Sequence, residues 1–154
     1  MGKLITYTDG GARGNPGPAA GGAVIKNDIG EIILKTSKYL GETTNNVAEY
    51  EALILALQKA KGIFKSRSRD AINRVSTKDK NLECYLDSEL IVKQLNHEYK
   101  IKDENMQKLF IKVWNLTLDF DSVKFIHIPR EENKLADEMV NKELDEQARN
   151  KSLF

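Results

Sequence analysis

One cysteine in 154 residues, Cys84, gives the chain no partner for an internal disulfide. Set among apolar neighbours, it reads as an ordinary buried thiol, and a reducing cytoplasm is the expected location. No apolar run approaches the ~20 residues that a membrane helix needs, and the opening MGKLITYTDGG has too short an apolar stretch for a signal peptide. Internal repeats and low-complexity tracts are absent as well. Nor is there an excess of one charge: 24 basic and 23 acidic side chains leave a formal net charge of +1. By itself that total points to no polyanionic partner. What remains is an ordinary globular composition, 40% apolar and 31% charged, which excludes a disordered or collagen-like chain. The length suits one domain over residues 1–149 with a short tail at 150–154.

Lys3–Thr8 mixes β-branched and aromatic residues and ends at Asp9 and glycines, so it predicts a strand. Gly10–Gly22, with six glycines and two prolines, predicts a loop. Gly22–Lys26 and Glu31–Leu40 form a hairpin pattern around Asn27-Asp28-Ile29-Gly30. Thr43 to Asn46 supply helix-capping side chains, with Glu49 spaced three residues after Asn46 as a capping carboxylate. Val47, Tyr50, Leu53, Ile54 and Leu57 then recur at helical spacing, for a helix over Val47–Lys61. Residues 62–82 are polar and aperiodic and predict a long basic loop, with a short helix at its start. Further on come a strand at Glu83–Leu86, helices capped by Ser88 and Asp103, and a strand at Ser122–Ile128. Pro129 precedes a last helix that runs to about Arg149.

This order implies a mixed α/β fold: a five-stranded sheet with helices packed on it. If strands one to three form an antiparallel meander, and helical crossovers lead to strands four and five, then strands four and five run parallel to strand one. Asp9 then ends strand one and Asp87 strand four, both up-strands, while Glu49 and Asp137 lie in the opening turns of helices that start from the same rim. Ligands and active sites of α/β sheets gather on that rim. Each acid has an ordinary explanation alone: Asp9 as a turn former, Glu49 and Asp87 as caps, Asp137 as a solvated helix residue. Four together repel one another unless cations neutralise them. Oxygen donors without histidine or thiolate favour Mg²⁺ or Mn²⁺, and two such ions about 3.5–4 Å apart can clamp both oxygens in phosphoryl hydrolysis. The pattern thus points to a metal-dependent phosphodiesterase.

Four blocks carry a more specific signal. Tyr7–Val24 (YTDGGARGNPGPAAGGAV), Thr43–Leu53 (TTNNVAEYEAL), Tyr85–Leu95 (YLDSELIVKQL) and His127–Leu144 (HIPREENKLADEMVNKEL) resemble, in order, the motif blocks of type 1 ribonuclease H. The resemblance implies a ribonuclease H-like fold and endonucleolytic hydrolysis of the RNA strand of RNA–DNA hybrids, leaving 5′-phosphate and 3′-hydroxyl ends. It implies that Asp9 bridges two Mg²⁺ or Mn²⁺ ions, that Glu49 and Asp87 hold one, and that Asp137 helps hold the ion that activates water. It also implies that Glu49 touches a ribose 2′-hydroxyl, a group that distinguishes RNA from DNA. By the same resemblance Gly10, Gly11, Asn15, Asn45 and Asn46 contact the hybrid and Thr44 binds a DNA-strand phosphate. Turn and capping roles compete with that reading at Asn15, Thr44 and Asn45. His127 and Arg130 compete for the role of assisting proton transfer or product release, with Arg130 favoured because it follows Pro129 at the helix entrance.

The chain also departs from the family pattern. Glu89 stands where many relatives have glutamine, the glycine-containing loop before the last acid is missing, and the span from Asp87 to Trp114 is too short for a basic protrusion. No hybrid-binding domain is expected before Met1. A substitute grip is available in Lys59–Lys80, where eight basic residues face only Asp70 and Asp79. It reads either as a phosphate-tracking arm or as a solvated loop. Glu131–Phe154 is acidic, with seven acids against four bases, so the neutral total conceals unlike regions. The final Ser152-Leu153-Phe154 faintly resembles a peptide that docks on sliding clamps; a plain tail is the simpler reading. The expected partner is RNA–DNA hybrid, with double-stranded RNA as a further substrate, no membrane, and a monomeric state. The alternative function is a catalytically silent nucleic-acid-binding module on the same fold.

Overall fold

The computed structural model describes residues 3–70 and 79–152, with side chains for 3–67 and 79–151. Its elements are β1 (Leu4–Ala12), β2 (Gly17–Asn27), β3 (Ile32–Thr43), α1 (Asn45–Asp70), β4 (Asn81–Leu86), α2 (Glu89–Leu95), α3 (Glu104–Thr117), β5 (Ser122–His127) and α4 (Lys134–Ser152). A 3₁₀ turn, Arg130–Glu132, leads into α4. The five strands form one sheet in the order β3-β2-β1-β4-β5. β1 to β3 are an antiparallel meander, and β4 and β5 run parallel to β1, as the connectivity predicts.

Helices cover both faces. The larger core joins Leu4, Ile25, Leu82, Cys84 and Leu86 of the sheet to Tyr50, Leu53 and Leu57 of α1, Ile91 and Leu95 of α2, and Val113 of α3. Tyr50 adds a buried hydrogen bond, its hydroxyl donating to Gln94 Oε1 at 2.8 Å. Burial pushes the Cys84 thiol up to about 12, so it stays protonated and inert. A smaller cluster, with Ala20, Val140 and Leu144, seats α4 on the opposite face. Among the described residues no helix is long and apolar enough to cross a membrane.

Three sequence expectations are corrected. The glycine-rich stretch is mostly sheet: β1 continues to Ala12 and β2 starts at Gly17, leaving only residues 13–16 as the turn. Small residues here serve helix approach, not chain flexibility. A Cβ on Gly22 would lie 2.7 Å from the Ala136 carbonyl oxygen of α4. Secondly, the helix predicted to end at Lys61 continues to Asp70, so the first nine residues of the expected loop are helical; Arg74 and Lys78 lie outside the described residues. Thirdly, α4 runs to Ser152, into the expected tail; Leu153 and Phe154, which carry the clamp-peptide resemblance, lie outside the described residues.

Candidate active site

Register makes Asp9 and Asp87 neighbours. The parallel pairing of β1 with β4 ends at Thr8 opposite Leu86, so an aspartate comes next on each strand. Side chains alternate between sheet faces with a period of two. Leu4, Leu82 and Leu86 face the larger core, which puts Asp9 and Asp87 on the α4 side. Glu49 arrives from the second turn of α1. A Cβ on Gly10 would lie 2.2 Å from the Ala48 carbonyl carbon and 2.3 Å from the Glu49 nitrogen, so only glycine lets α1 come this close. The expected pairing of Glu49 with Asn46 as a cap does not form. Thr44 Oγ1 caps α1 by accepting from Val47 N at 3.3 Å, and Glu49 instead accepts from the Gly10 backbone N–H.

One oxygen from each of Asp9, Glu49 and Asp87 lies within 4.8 Å of the other two. At such a separation two ionised carboxylates repel by roughly 3 kcal/mol or more at an effective dielectric near 20. Asp9 is 8% exposed and Glu49 7%. Burial, then the charge of Asp87, pushes Asp9 up from 3.8 to about 7. Burial and the charge of Asp9 push Glu49 well above its usual 4.5. Glu49 Oε2 is buried without a hydrogen-bond partner. Three crowded carboxylates, one with an orphaned oxygen, fit a hard divalent cation: it would relieve the repulsion and satisfy the free oxygen. Asp137, in the first turn of α4, is exposed and stands outside this triad of two buried acids and the half-buried Asp87. It is close enough to Asp9 to add to that group's upward shift, and it lines the same cleft of about 370 Å³.

That cleft also collects Gly10, Gly11, Arg13, Asn45, Asn46, Ser88 and Arg130. Asn15 and Asn45 form a reciprocal latch between the β1–β2 turn and α1. Asn15 Oδ1 accepts from Asn45 N at 3.0 Å, while Asn45 Oδ1 accepts from Ala12 N at 2.8 Å. Their acceptor oxygens are therefore engaged within the protein. His127 and Arg130 part company. His127 pairs with Leu86 at the end of β5, which puts it on the core face of the sheet, away from Asp9 and Asp87. It is exposed and its field reaches Glu89. Arg130, on the 3₁₀ turn, faces the acids across the cleft. Alternation along β5 is the signal that separates them. A larger groove of about 460 Å³ between α3 and β5, lined by Phe110, Trp114 and Phe125 among others, has no cluster of acids.

Two residues around the cleft escape sequence reasoning. Arg13, at the hairpin turn, pairs with Asp145 of α4 at 2.7 Å. Asn133, which sits immediately before α4, is 1% exposed and donates to Asp87. Its surroundings in sequence, EENKLAD, look fully solvated, and only its spacing of four from Asp137 hints at a shared turn.

Comparison with known proteins gives a consistent result. The Reverse transcriptase-like family profile matches residues 7–64 and 75–143. Ribonuclease HI of Halobacterium salinarum is 34% identical over 145 residues, covering 94% of this chain and 66% of that protein. A bifunctional protein of Mycobacterium tuberculosis is 33% identical over 144 residues. The chain spans 36% of the length of that protein and its close mycobacterial counterparts. In three dimensions the chain is similar to LC11-RNase H1, isolated from compost by a metagenomic approach, with a TM-score of 0.80 and 43% identity over 96% of this chain and 99% of that one. The same protein in complex with RNA/DNA hybrid superposes with a TM-score of 0.79, at 43% identity over 94% of this chain and 99% of that one.

Proposed function

Since the chain belongs to the reverse transcriptase-like family, and within it to type 1 ribonuclease H, we propose that it is an endoribonuclease that hydrolyses the RNA strand of RNA–DNA hybrids. The triad of buried Asp9 and Glu49 with half-buried Asp87, on the rim of an open cleft, carries this reading. Ions of the Mg²⁺ or Mn²⁺ class, two per site, would be held by these three residues together with Asp137, and would supply the charge that polarises water and steadies the departing 3′-oxygen. The products carry 5′-phosphate and 3′-hydroxyl ends.

The remaining roles belong to the chain itself. Burial and mutual repulsion favour the protonated forms of Asp9 and Glu49, and a cation at this site would compete with those protons, which ties activity to metal. Arg130 is positioned to pair with a backbone phosphate beside the acids, where a planar guanidinium grips two oxygens at once. Asn15 and Asn45 each use their oxygen to accept from a backbone N–H, which leaves their NH₂ groups as donors toward a substrate. Asn46, exposed in the first turn of α1, extends that donor surface.

The test is one cleavage assay on hybrid, duplex RNA and duplex DNA, with Mg²⁺, with Mn²⁺ and with chelator. Hybrid is expected to be cut only with metal, and Asp9→Asn to remove the activity. Cleavage that survives chelator or Asp9→Asn overturns the mechanism. Binding without cleavage under every metal condition would make the chain a silent nucleic-acid-binding module.

A further inference from the structure

The side chain of Asn133 is almost completely buried beside the acidic cleft, which is unusual for a carboxamide next to three exposed charged residues. Its Nδ2 donates twice: to the Thr8 carbonyl oxygen at 2.8 Å and to Asp87 Oδ2 at 3.0 Å. Thr8 immediately precedes Asp9. The Asn133 carbonyl oxygen accepts from Asp137 N at 3.2 Å, at the opening of α4. One residue therefore touches the β1 backbone beside Asp9, the carboxylate of Asp87 and the backbone of Asp137. Its own Oδ1 is buried with no hydrogen-bond partner. A buried amide normally satisfies both ends; here the donor end is fully used and the acceptor end is left over, so the side chain is oriented by its two N–H bonds.

We propose that Asn133 is a positioning residue for the acid cluster. By holding one oxygen of Asp87 it selects that side chain's rotamer and turns the other oxygen toward Asp9 and Glu49. By bonding to the Thr8 carbonyl it sets the distance between the start of α4 and β1, and hence the reach of Asp137. The cluster needs such a device. Three carboxylates crowded within 4.8 Å drive one another apart when no cation is present, and a neutral hydrogen-bond donor such as an amide N–H restrains a carboxylate without displacing a metal. Partners of this kind typically alter metal affinity or activity 10–100-fold when removed. The inference rests on the proposed metal-dependent activity, but its first readout does not require that activity.

The experiment compares wild type with Asn133→Ala and Asn133→Ser. Serine keeps a polar side chain favourable at a helix start but is too short to bridge Asp87 and the Thr8 carbonyl together, so it separates loss of the bridge from a general loss of polarity before α4. Thermal unfolding in chelator reports folding, and titration of the same transition with Mn²⁺ alone reports metal affinity. Steady-state cleavage of hybrid then divides kcat from KM. Both variants are expected to need at least about tenfold more Mn²⁺ for half-maximal stabilisation and to lose about 10–100-fold in kcat, with KM within about twofold of wild type. If Asn133→Ala does not fold, Asn133→Ser decides the question by the same criteria. A lower melting temperature in chelator with unchanged Mn²⁺ half-saturation would make Asn133 a purely structural residue and overturn the proposal. Wild type that binds Mn²⁺ but does not cut hybrid overturns the ribonuclease reading and leaves the Mn²⁺ comparison to judge Asn133 independently.

Discussion

Asp9 and Glu49 hold the most strained chemistry in the molecule, because each is buried beside the other and both face Asp87. The folded state binds protons at Asp9 up to about pH 7, against 3.8 for an ordinary aspartate. A carboxyl group raised in this way stabilises the fold most below its unfolded value, and that contribution disappears as pH rises through the folded value. Metal-free protein is therefore expected to lose stability between about pH 4 and 7 on account of this cluster. Asp9→Asn removes one charge from it. In chelator at pH 8 that variant should be more stable than wild type by roughly 1–3 kcal/mol, with the gap closing toward pH 5; chemical denaturation at both pH values measures it, and a gap independent of pH would deny the repulsion. Gly10 makes a different residue-scale prediction. An added methyl would collide with the Ala48 and Glu49 backbone at 2.2–2.3 Å, so Gly10→Ala should cost about 3 kcal/mol or more and displace Glu49. A urea midpoint unchanged from wild type would contradict it.

At the scale of elements, α1 is the part that sequence reading cut short. Periodicity ends near Lys61 because Gly62 and the polar run after it resemble a loop, yet Ile63 and Phe64 still pack on the larger core and continue the helix. Tertiary burial overrides weak local propensity there. The consequence is functional. Lys65 lies sixteen residues beyond Glu49 along α1, which at 1.5 Å per residue is about 24 Å. The basic residues at the start of the expected arm thus ride outward on a rigid helix, with Lys61 already paired to Asp119 at 3.2 Å. Replacing Arg67, Arg69 and Arg74 with glutamine is expected to weaken hybrid binding and to reduce the slope of log K against log salt by about one for each phosphate no longer neutralised. An unchanged slope would return these residues to the solvated surface. The glycine-rich β1–β2 segment shows the converse error. Its composition reads as a loop, but glycine and alanine are there because α1 and α4 press on the two faces of the sheet.

For the whole molecule, the expected response to metal follows from the same cluster. Mg²⁺ or Mn²⁺ should raise the melting temperature of wild type markedly at pH 8 and much less at pH 5, where protons compete for the same oxygens. Asp9→Asn should respond weakly at either pH, and an equal response from wild type and variant would place the cation elsewhere. The directions of the strands, the choice of rim and the four acids near it were legible in the sequence, because strand and helix periodicities are local and the chirality and length of crossovers restrict how they connect. The expectation of a hard divalent cation also came from the sequence, since oxygen-only donors at helix starts and strand ends favour that class of ion. Three matters were decided only by the tertiary structure. It separated the close-set triad of Asp9, Glu49 and Asp87 from the exposed Asp137, sent His127 to the core face while bringing Arg130 to the cleft, and buried Asn133 against Asp87. Each depends on register or on the approach of two elements distant in sequence. Spacing along one strand or helix says which face a residue shares, but not what the neighbouring element places opposite it.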